Sequence, residues 1–336
     1  MTGRRRTGPA LLSLVLALTV GGLIWGFGPW DEESDPADTC RGALAAEEAG
    51  AFFGGAELKF RGHTAEWMGH ETEYCSAQAR GEESGAVRLE LSIRPAAAHR
   101  AAGAAEKTSA APIGFGWNGS FDAGYNPAAA VLVDCASLPG KGLLVLADIP
   151  EDIRKLSDEQ VSGLARFTTE SARRAAKRYD CEGPLGKRPS TVDRTTWQER
   201  PVARVKGTCG DVVTARDTAR LGLTTASEMP AGRALTEECS LDLPAQGRHV
   251  RLTAYYGPSA QQEMYLDKRY PGSVKGAIMR SHPCKGALGT AYFKYEELPR
   301  EDDGKSVRNT VRDEDGQRLL TAFTTASAAR HGCPLG

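Results

Sequence analysis

The chain has 336 residues, of which 25% are charged and 40% hydrophobic, and its formal net charge is -1. That length suits two domains of ordinary size rather than one small core. Arg4, Arg5 and Arg6 are the only charges before Asp31, so the remainder carries 39 basic against 43 acidic residues. This mildly acidic balance excludes a sequence-independent grip on nucleic acid, which needs clustered Lys and Arg to displace counterions.

The first predicted element is apolar. Between Thr7 and Trp30 there is no ionisable side chain, and Ala10 to Phe27 reads ALLSLVLALTVGGLIWGF. As a helix rising 1.5 Å per residue it would span roughly 27 Å, enough to cross a bilayer. Arginines precede it and Asp31, Glu32, Glu33, Asp35 and Asp38 follow it, which predicts a cytoplasmic N-terminus and an external remainder, with Trp25 and Trp30 at the outer interface. A cleaved signal peptide is the rival reading, but the boundary GFGPWDEESD lacks the small residues of a cleavage site. Cys40 in ADTC lacks a lipidation context, and TGPALL after Arg5 and Arg6 matches a twin-arginine signal poorly. The predicted order is a tail over 1–9, a transmembrane signal anchor over 10–30 and an acidic spacer over 31–38.

From residue 39 onward the sequence repeats itself. TCRG at 39–42 answers TCGD at 208–211, and each precedes a short helical pattern, LAAEEAGAFF and VTARDTARLGL. TEYCS at 72–76 answers TEECS at 236–240, and 12 and 11 residues beyond the cysteine both copies reach VRL, at Val87 and Val250. That spacing predicts a hairpin, whose second strands alternate in VRLELSI and VRLTAYY and close at Pro95 and Pro258. AVLVDC and GLLVLADI read as two further strands, paralleled by KGAIMR and GTAYFKY. Each copy ends in a helix, with Phe167 answering Phe323 and Ala172 answering Ala328; Ser157 and Gln160 form a capping box in the first.

The expected fold is therefore α+β: two tandem homologous modules, 39–183 and 208–336, each a mostly antiparallel sheet covered on one face by helices, behind one N-terminal transmembrane helix. Residues 184–207 read as a linker with one strand near Val202 to Val205.

Eight cysteines, Cys40, Cys75, Cys135, Cys181, Cys209, Cys239, Cys284 and Cys333, leave three pairings per module. Sequence-local pairing joins Cys40 with Cys75, Cys135 with Cys181, Cys209 with Cys239 and Cys284 with Cys333. Each bridge would close a loop of roughly 30 to 50 residues, for which chain entropy gives about 3 to 4 kcal/mol. With no C-x-x-C and no Cys/His cluster at ligand spacing, structural bridges on the oxidising side of a membrane are the expectation.

Short motifs of hydrolases, zinc proteases, P-loops and dinucleotide sites do not occur, so no catalytic residue, cofactor or metal is assigned. EDDGKSVRNTVRDEDGQ fails the oxygen spacing of a calcium loop and reads as a solvated hairpin. The six histidines, 63, 70, 99, 249, 282 and 331, are scattered.

One segment differs between the copies. Val87 to Cys135 spans 48 residues and Val250 to Cys284 spans 34, so the first module has gained about 14. The excess includes IGFGWNGSFDAGYN, in which Phe115, Trp117, Phe121 and Tyr125 are spaced by glycine and asparagine, the kind of text found at recognition surfaces. Packing onto its own module is the competing reading. In the second copy QQEMYLDKRYPGS sets Tyr265 and Tyr270 beside Lys268 and Arg269, a weaker candidate.

The Arg-rich anchor, the Ala/Gly/Arg-heavy text, and TC with ETEYCS and LTEECS resemble small extracytoplasmic domains of actinobacterial envelope proteins. The resemblance spans both modules on short motifs and implies compartment and fold rather than an activity. The expectation is a single-pass membrane protein that binds an envelope protein or surface ligand without nucleic acid. The alternatives are an assembly subunit of the envelope, or a cell-wall enzyme whose site is assembled from distant residues.

Overall fold

A computed structural model describes residues 33–67, 69–81, 87–97, 110–122, 126–150, 156–193, 197–244, 248–271, 276–299, 311 and 313–335. The expected tail and anchor over 1–30 lie outside them, and no helix among the described residues is long and apolar enough to cross a membrane.

The described chain is α+β, built on two antiparallel sheets. The first contains β1 (Leu58–Trp67), β2 (His70–Ala79), β3 (Arg88–Pro95), β4 (Ala111–Pro112), β5 (Asn118–Asp122), β6 (Ala128–Asp134) and β7 (Gly142–Asp148), in the order β1-β2-β3-β7-β6-β5-β4. Two helices, α1 (Ala46–Phe52) and α2 (Asp158–Arg178), pack on one face of it. The second sheet contains β8 (Gln198–Pro201), β9 (Thr225–Glu228), β10 (Thr236–Leu243), β11 (Arg248–Tyr256), β12 (Ile278–Pro283) and β13 (Thr290–Pro299), in the order β8-β9-β10-β11-β13-β12. Its helices are α3 (Ala215–Leu221), α4 (Pro258–Arg269) and α5 (Asp313–His331). The order β9-β10-β11-β13-β12 reproduces β1-β2-β3-β7-β6, with β8 added at one edge and β5 and β4 at the other.

Local sequence explains the helix boundaries. Ser157 and Gln160 cap α2 reciprocally, and Thr214 and Asp217 do the same for α3. Both long helices finish in one geometry: the Cys181 N–H donates to Ala176 O at 2.8 Å and the Cys333 N–H to Ala328 O at 2.9 Å. The preceding residues, Asp180 at φ 52° and Gly332 at φ 66°, take the left-handed conformation that lets the chain turn back.

The bridges are Cys40–Cys75, Cys135–Cys181, Cys209–Cys239 and Cys284–Cys333, the sequence-local pairs. Beside them lies a second tie. Glu73, two residues before Cys75 and 2% exposed, accepts Arg178 Nη1–H at 3.0 Å and the Tyr179 hydroxyl at 2.8 Å. Arg178 also donates to Cys40 O at 2.6 Å. In the second module Glu237, 1% exposed, accepts Arg330 Nε–H at 3.1 Å and Nη2–H at 2.6 Å, and the Ser327 hydroxyl at 2.7 Å. Burial, with the Glu73 contact, pushes the Tyr179 phenol up, and burial raises that of Tyr256, which meets Ser327 Oγ at 2.6 Å.

Several features differ from the sequence expectation. The first sheet was expected to be covered on one face, yet β6 and β7 are buried along their length apart from Asp134 and Asp148. Ala129, Val131, Leu143 and Val145 face the first core, while Ala128, Ala130, Leu132, Leu144 and Leu146 join one core with Ala287, Leu288 and the second sheet. Two buried faces explain their nearly unbroken apolar text. The acidic stretch starts on the fold: Ser34 bridges Phe60 and Glu33 pairs with Arg80. In the linker the strand is Gln198–Pro201, and Val202–Arg204 is a single tight turn. DEDG at 313–316 opens α5 rather than a hairpin, and Asp315 is buried against Arg220; residues 300–310 lie outside the described set.

Because Glu237 is inaccessible, Arg330→Leu leaves a buried carboxylate without its cation, a change that costs about 3 to 5 kcal/mol. Urea unfolding should show that loss, and the double variant with Glu237→Gln should recover most of it.

Candidate functional site

The inserted aromatic segment is packed into the molecule. Trp117 is 3% exposed and its indole N–H donates to Lys187 O at 2.8 Å; Phe121 is 1% exposed. Lys187 N–H returns a bond to Phe115 O at 2.8 Å, and Arg173 lies 5.8 Å from the Trp117 ring centroid while donating to Gly186 O. Gly186 is required here, since a Cβ would stand 2.3 Å from Trp117 Cδ1. Phe115 alone of the three described aromatics reaches the surface, at 37% exposure, and Tyr125 lies outside the described residues.

The same segment joins the first sheet to the chain leading into β10 of the second. The Gly119 N–H donates to Arg233 O at 2.8 Å and the Leu235 N–H to Ser120 Oγ at 2.8 Å, while Pro112 lies so close to Gly232 that a Cβ there would stand 2.6 Å away. Asp134 completes this seam by accepting the Ala287 N–H at 2.6 Å. Phe115, Trp117 and Phe121 therefore do not form a shared contact surface. Burial of Trp117 and Phe121 assigns them to the core.

A contiguous exposed aromatic surface occurs instead on α4, in the segment that looked weaker in sequence. Met264, Tyr265 and Tyr270 are 39%, 48% and 53% exposed, and Lys268 and Arg269 stand beside them. Residues 264 and 268, like 265 and 269, are one helical turn apart, so the side chains form adjacent rows. Arg269 Nη1–H donates to the Tyr265 hydroxyl at 2.9 Å, and its guanidinium lies 5.9 Å and 5.4 Å from the ring centroids of Tyr265 and Tyr270.

The opposite side of α4 is fixed by charge. On β13, Tyr292 and Lys294 alternate with Phe293 and Tyr295, so the first pair faces α4 and the second faces α5. Lys294 Nζ donates to Glu263 Oε1 at 2.6 Å and Asp267 Oδ1 at 2.8 Å, and the Tyr292 hydroxyl donates to Asp267 Oδ2 at 2.8 Å. Burial pulls the Lys294 ammonium down, but the two carboxylates outweigh it and hold its pKa above the usual lysine value. Burial raises Tyr292, and its bond to Asp267 adds to the shift. Few apolar contacts hold this helix, since its buried residues are Pro258, Ser259, Ala260 and Asp267.

A groove of about 710 Å³ runs along α5 past Lys206, Asp211, Ala322, Ala326, Ala329 and Arg330. Counting back from the terminal cysteine, its helix positions Ala322, Thr325, Ala326 and Ala329 correspond to Glu170, Arg173, Arg174 and Lys177 in the first module. There Arg174 reaches Leu44 O at 3.1 Å, a contact that the alanine at the matching position of α5 has no side chain to make.

Sequence reading missed the two buried pairs, although a signal was present. Arg178 and Arg330 each stand three residues before a cysteine, and Glu73 and Glu237 two before one. Aligning the helices on Phe167 and Phe323 displaces the arginines by about a turn and hides the match. Among the described residues no group of three or more His, Cys, Asp or Glu side chains could hold a metal ion.

The fold and its surface define a disulfide-bridged α+β protein with two sheets of matching strand order. Compared with protein families, with curated proteins and with solved structures, the chain matches none.

Trp117→Ala should cost about 3 to 5 kcal/mol, the range for a deleted buried aromatic. Phe115→Ala, half out of the core, should stay within about 1 kcal/mol in the same urea titration. Equal effects would contradict the packing described.

Proposed function

We propose that this chain is a single-pass membrane protein with its N-terminus in the cytoplasm and two modules, copies of one ancestral unit, outside, and that it acts by non-covalent binding to an envelope protein. The envelope setting is supported by the apolar stretch at 10–27 between Arg4–Arg6 and the acids from Asp31, and by four disulfides, which persist on the oxidising side of a membrane. A duplicated origin rests on the matching cysteine frames and strand orders.

The observation that carries the binding reading is the outer face of α4. Soluble surfaces normally scatter their large apolar side chains singly, whereas here Met264, Tyr265 and Tyr270 cluster with Arg269. Tyrosine and arginine are the residues that dominate protein interfaces, because they offer large contact area with few torsions to freeze and a polar end to satisfy. The charge-locked inner face of α4 means that this surface is formed before a partner arrives, which lowers the ordering cost of binding.

A photoreactive phenylalanine analogue at Met264 in the full chain, irradiated in native membranes, should give a discrete higher-mass adduct; the same group at exposed Ala219 on α3 should not. Tyr265→Ala combined with Tyr270→Ala should reduce the adduct formed by the Met264 probe while shifting stability by no more than about 1 kcal/mol. Absence of any adduct at Met264 would count against this face as the contact.

A further inference from the structure

Several arginines of this fold are consumed by internal carboxylates, Arg178 by Glu73, Arg220 by Asp315, Arg251 by Glu296 and Arg330 by Glu237, and Arg280 is held by Thr321 and Gln317. Arg269 differs. Among the described residues no carboxylate pairs with it, and its contacts are the Tyr265 hydroxyl and the rings of Tyr265 and Tyr270. Lys268 is exposed beside it, while the carboxylates of the same helix, Glu263 and Asp267, are drawn inward by Lys294. The helix therefore segregates its charge, anionic groups toward the sheet and cationic groups toward solvent, on a chain that is mildly acidic outside its first residues.

Resting on the reading of the α4 face as the contact surface, we propose that its partner is a protein with an apolar groove rimmed by Asp or Glu. Arg269 would receive a partner carboxylate through the N–H edge that the tyrosines leave free, and Met264, Tyr265 and Tyr270 would fill the groove. A guanidinium held in place loses little freedom on forming paired hydrogen bonds to a carboxylate, which is the geometry arginine favours and lysine cannot reproduce. The shape of the surface decides between sources of carboxylate. A small anion or an acidic sugar is bound in concave sites, whereas the outer face of a helix is a convex ridge with side chains at i, i+1, i+4 and i+5, the form that lies in a groove of another protein.

Two defined probes test this with the full chain in detergent. A glutamate–tyrosine copolymer supplies carboxylates with aromatic contacts on a polypeptide, and polygalacturonate supplies carboxylates on a sugar backbone. The copolymer should bind, with affinity reduced about tenfold or more by Arg269→Glu and partly by Arg269→Lys, since removing a central interface arginine commonly has effects of that size. Polygalacturonate should bind weakly and lose little in either variant. Equal binding of the two polymers, or indifference of the copolymer to Arg269→Glu, would overturn the proposal. Circular dichroism melting checks that Arg269→Glu folds, as an exposed position allows.

The photoreactive probe at Met264 separates this inference from the reading beneath it. Loss of the adduct in Arg269→Glu, with Asp or Glu in the crosslinked partner peptide, supports an acidic groove. An adduct that persists in Arg269→Glu, or a crosslinked peptide without acidic residues, keeps the contact face and rejects the acidic partner. An adduct between two copies of this chain rejects it as well, and no adduct at all rejects both.

Discussion

The last turn of each long helix is the place on which the rest of this fold depends. A disulfide ties the residue that leaves the helix to the end of β6 or β12, and a half-buried arginine ties the same turn to a buried glutamate on β2 or β10. Strands from opposite parts of the sheet are thereby fixed to one helical turn. The covalent tie acts mainly by limiting the unfolded chain, whereas the ion pair acts in the folded state through its geometry. Neither substitutes for the other. A desolvated carboxylate without its arginine would oppose the packing that the disulfide favours.

With that frame present twice, the differences between the two sheets and their helices are what individualise the molecule. The first sheet carries β4 and β5, whose backbone and Ser120 bond to residues 233–235, while one face of β6 and β7 shares a core with the second sheet. After the β10–β11 hairpin of the second sheet comes α4, attached to that sheet through Lys294, Asp267 and Glu263 rather than through a large apolar contact. Polar attachment fixes the helix in one register, because buried charges must meet specific partners, and it leaves the apolar side chains of α4 free to face outward. The aromatic side chains of Trp117 and Phe121 at the first sheet are thus internal, and those of Tyr265 and Tyr270 external.

Much of the framework was legible in the sequence because its signals are local. The Ser157 and Gln160 capping box, the alternation in VRLELSI and the recurrence of cysteine spacing each follow from neighbouring residues. The exposed aromatic face of α4 was less legible. Glycine-spaced aromatics read alike whether they meet a ligand or a core, and the burial of Trp117 depends on Gly186 and Lys187, some 70 residues away. The exposure of Tyr265 and Tyr270 likewise depends on Lys294, which turns the acidic side of α4 inward from another strand. Pairing of the buried Glu73 and Glu237 was hidden by aligning the helices on Phe167 and Phe323, which offsets the arginines by about one turn, and the cysteine register removes that offset.

Hydroxyl-radical footprinting distinguishes an α4 contact face from one on the aromatic segment at 113–126, since methionine and the aromatic residues are its most reactive targets. The full chain would be oxidised once as purified protein and once in its native membranes, and the modified residues quantified by mass spectrometry. Met264, Tyr265 and Tyr270 should become protected in the native membrane, while Trp117 and Phe121 stay unreactive in both settings. Unchanged oxidation of the α4 residues, with protection appearing at Phe115 instead, would contradict the α4 face and return the contact surface to the inserted segment.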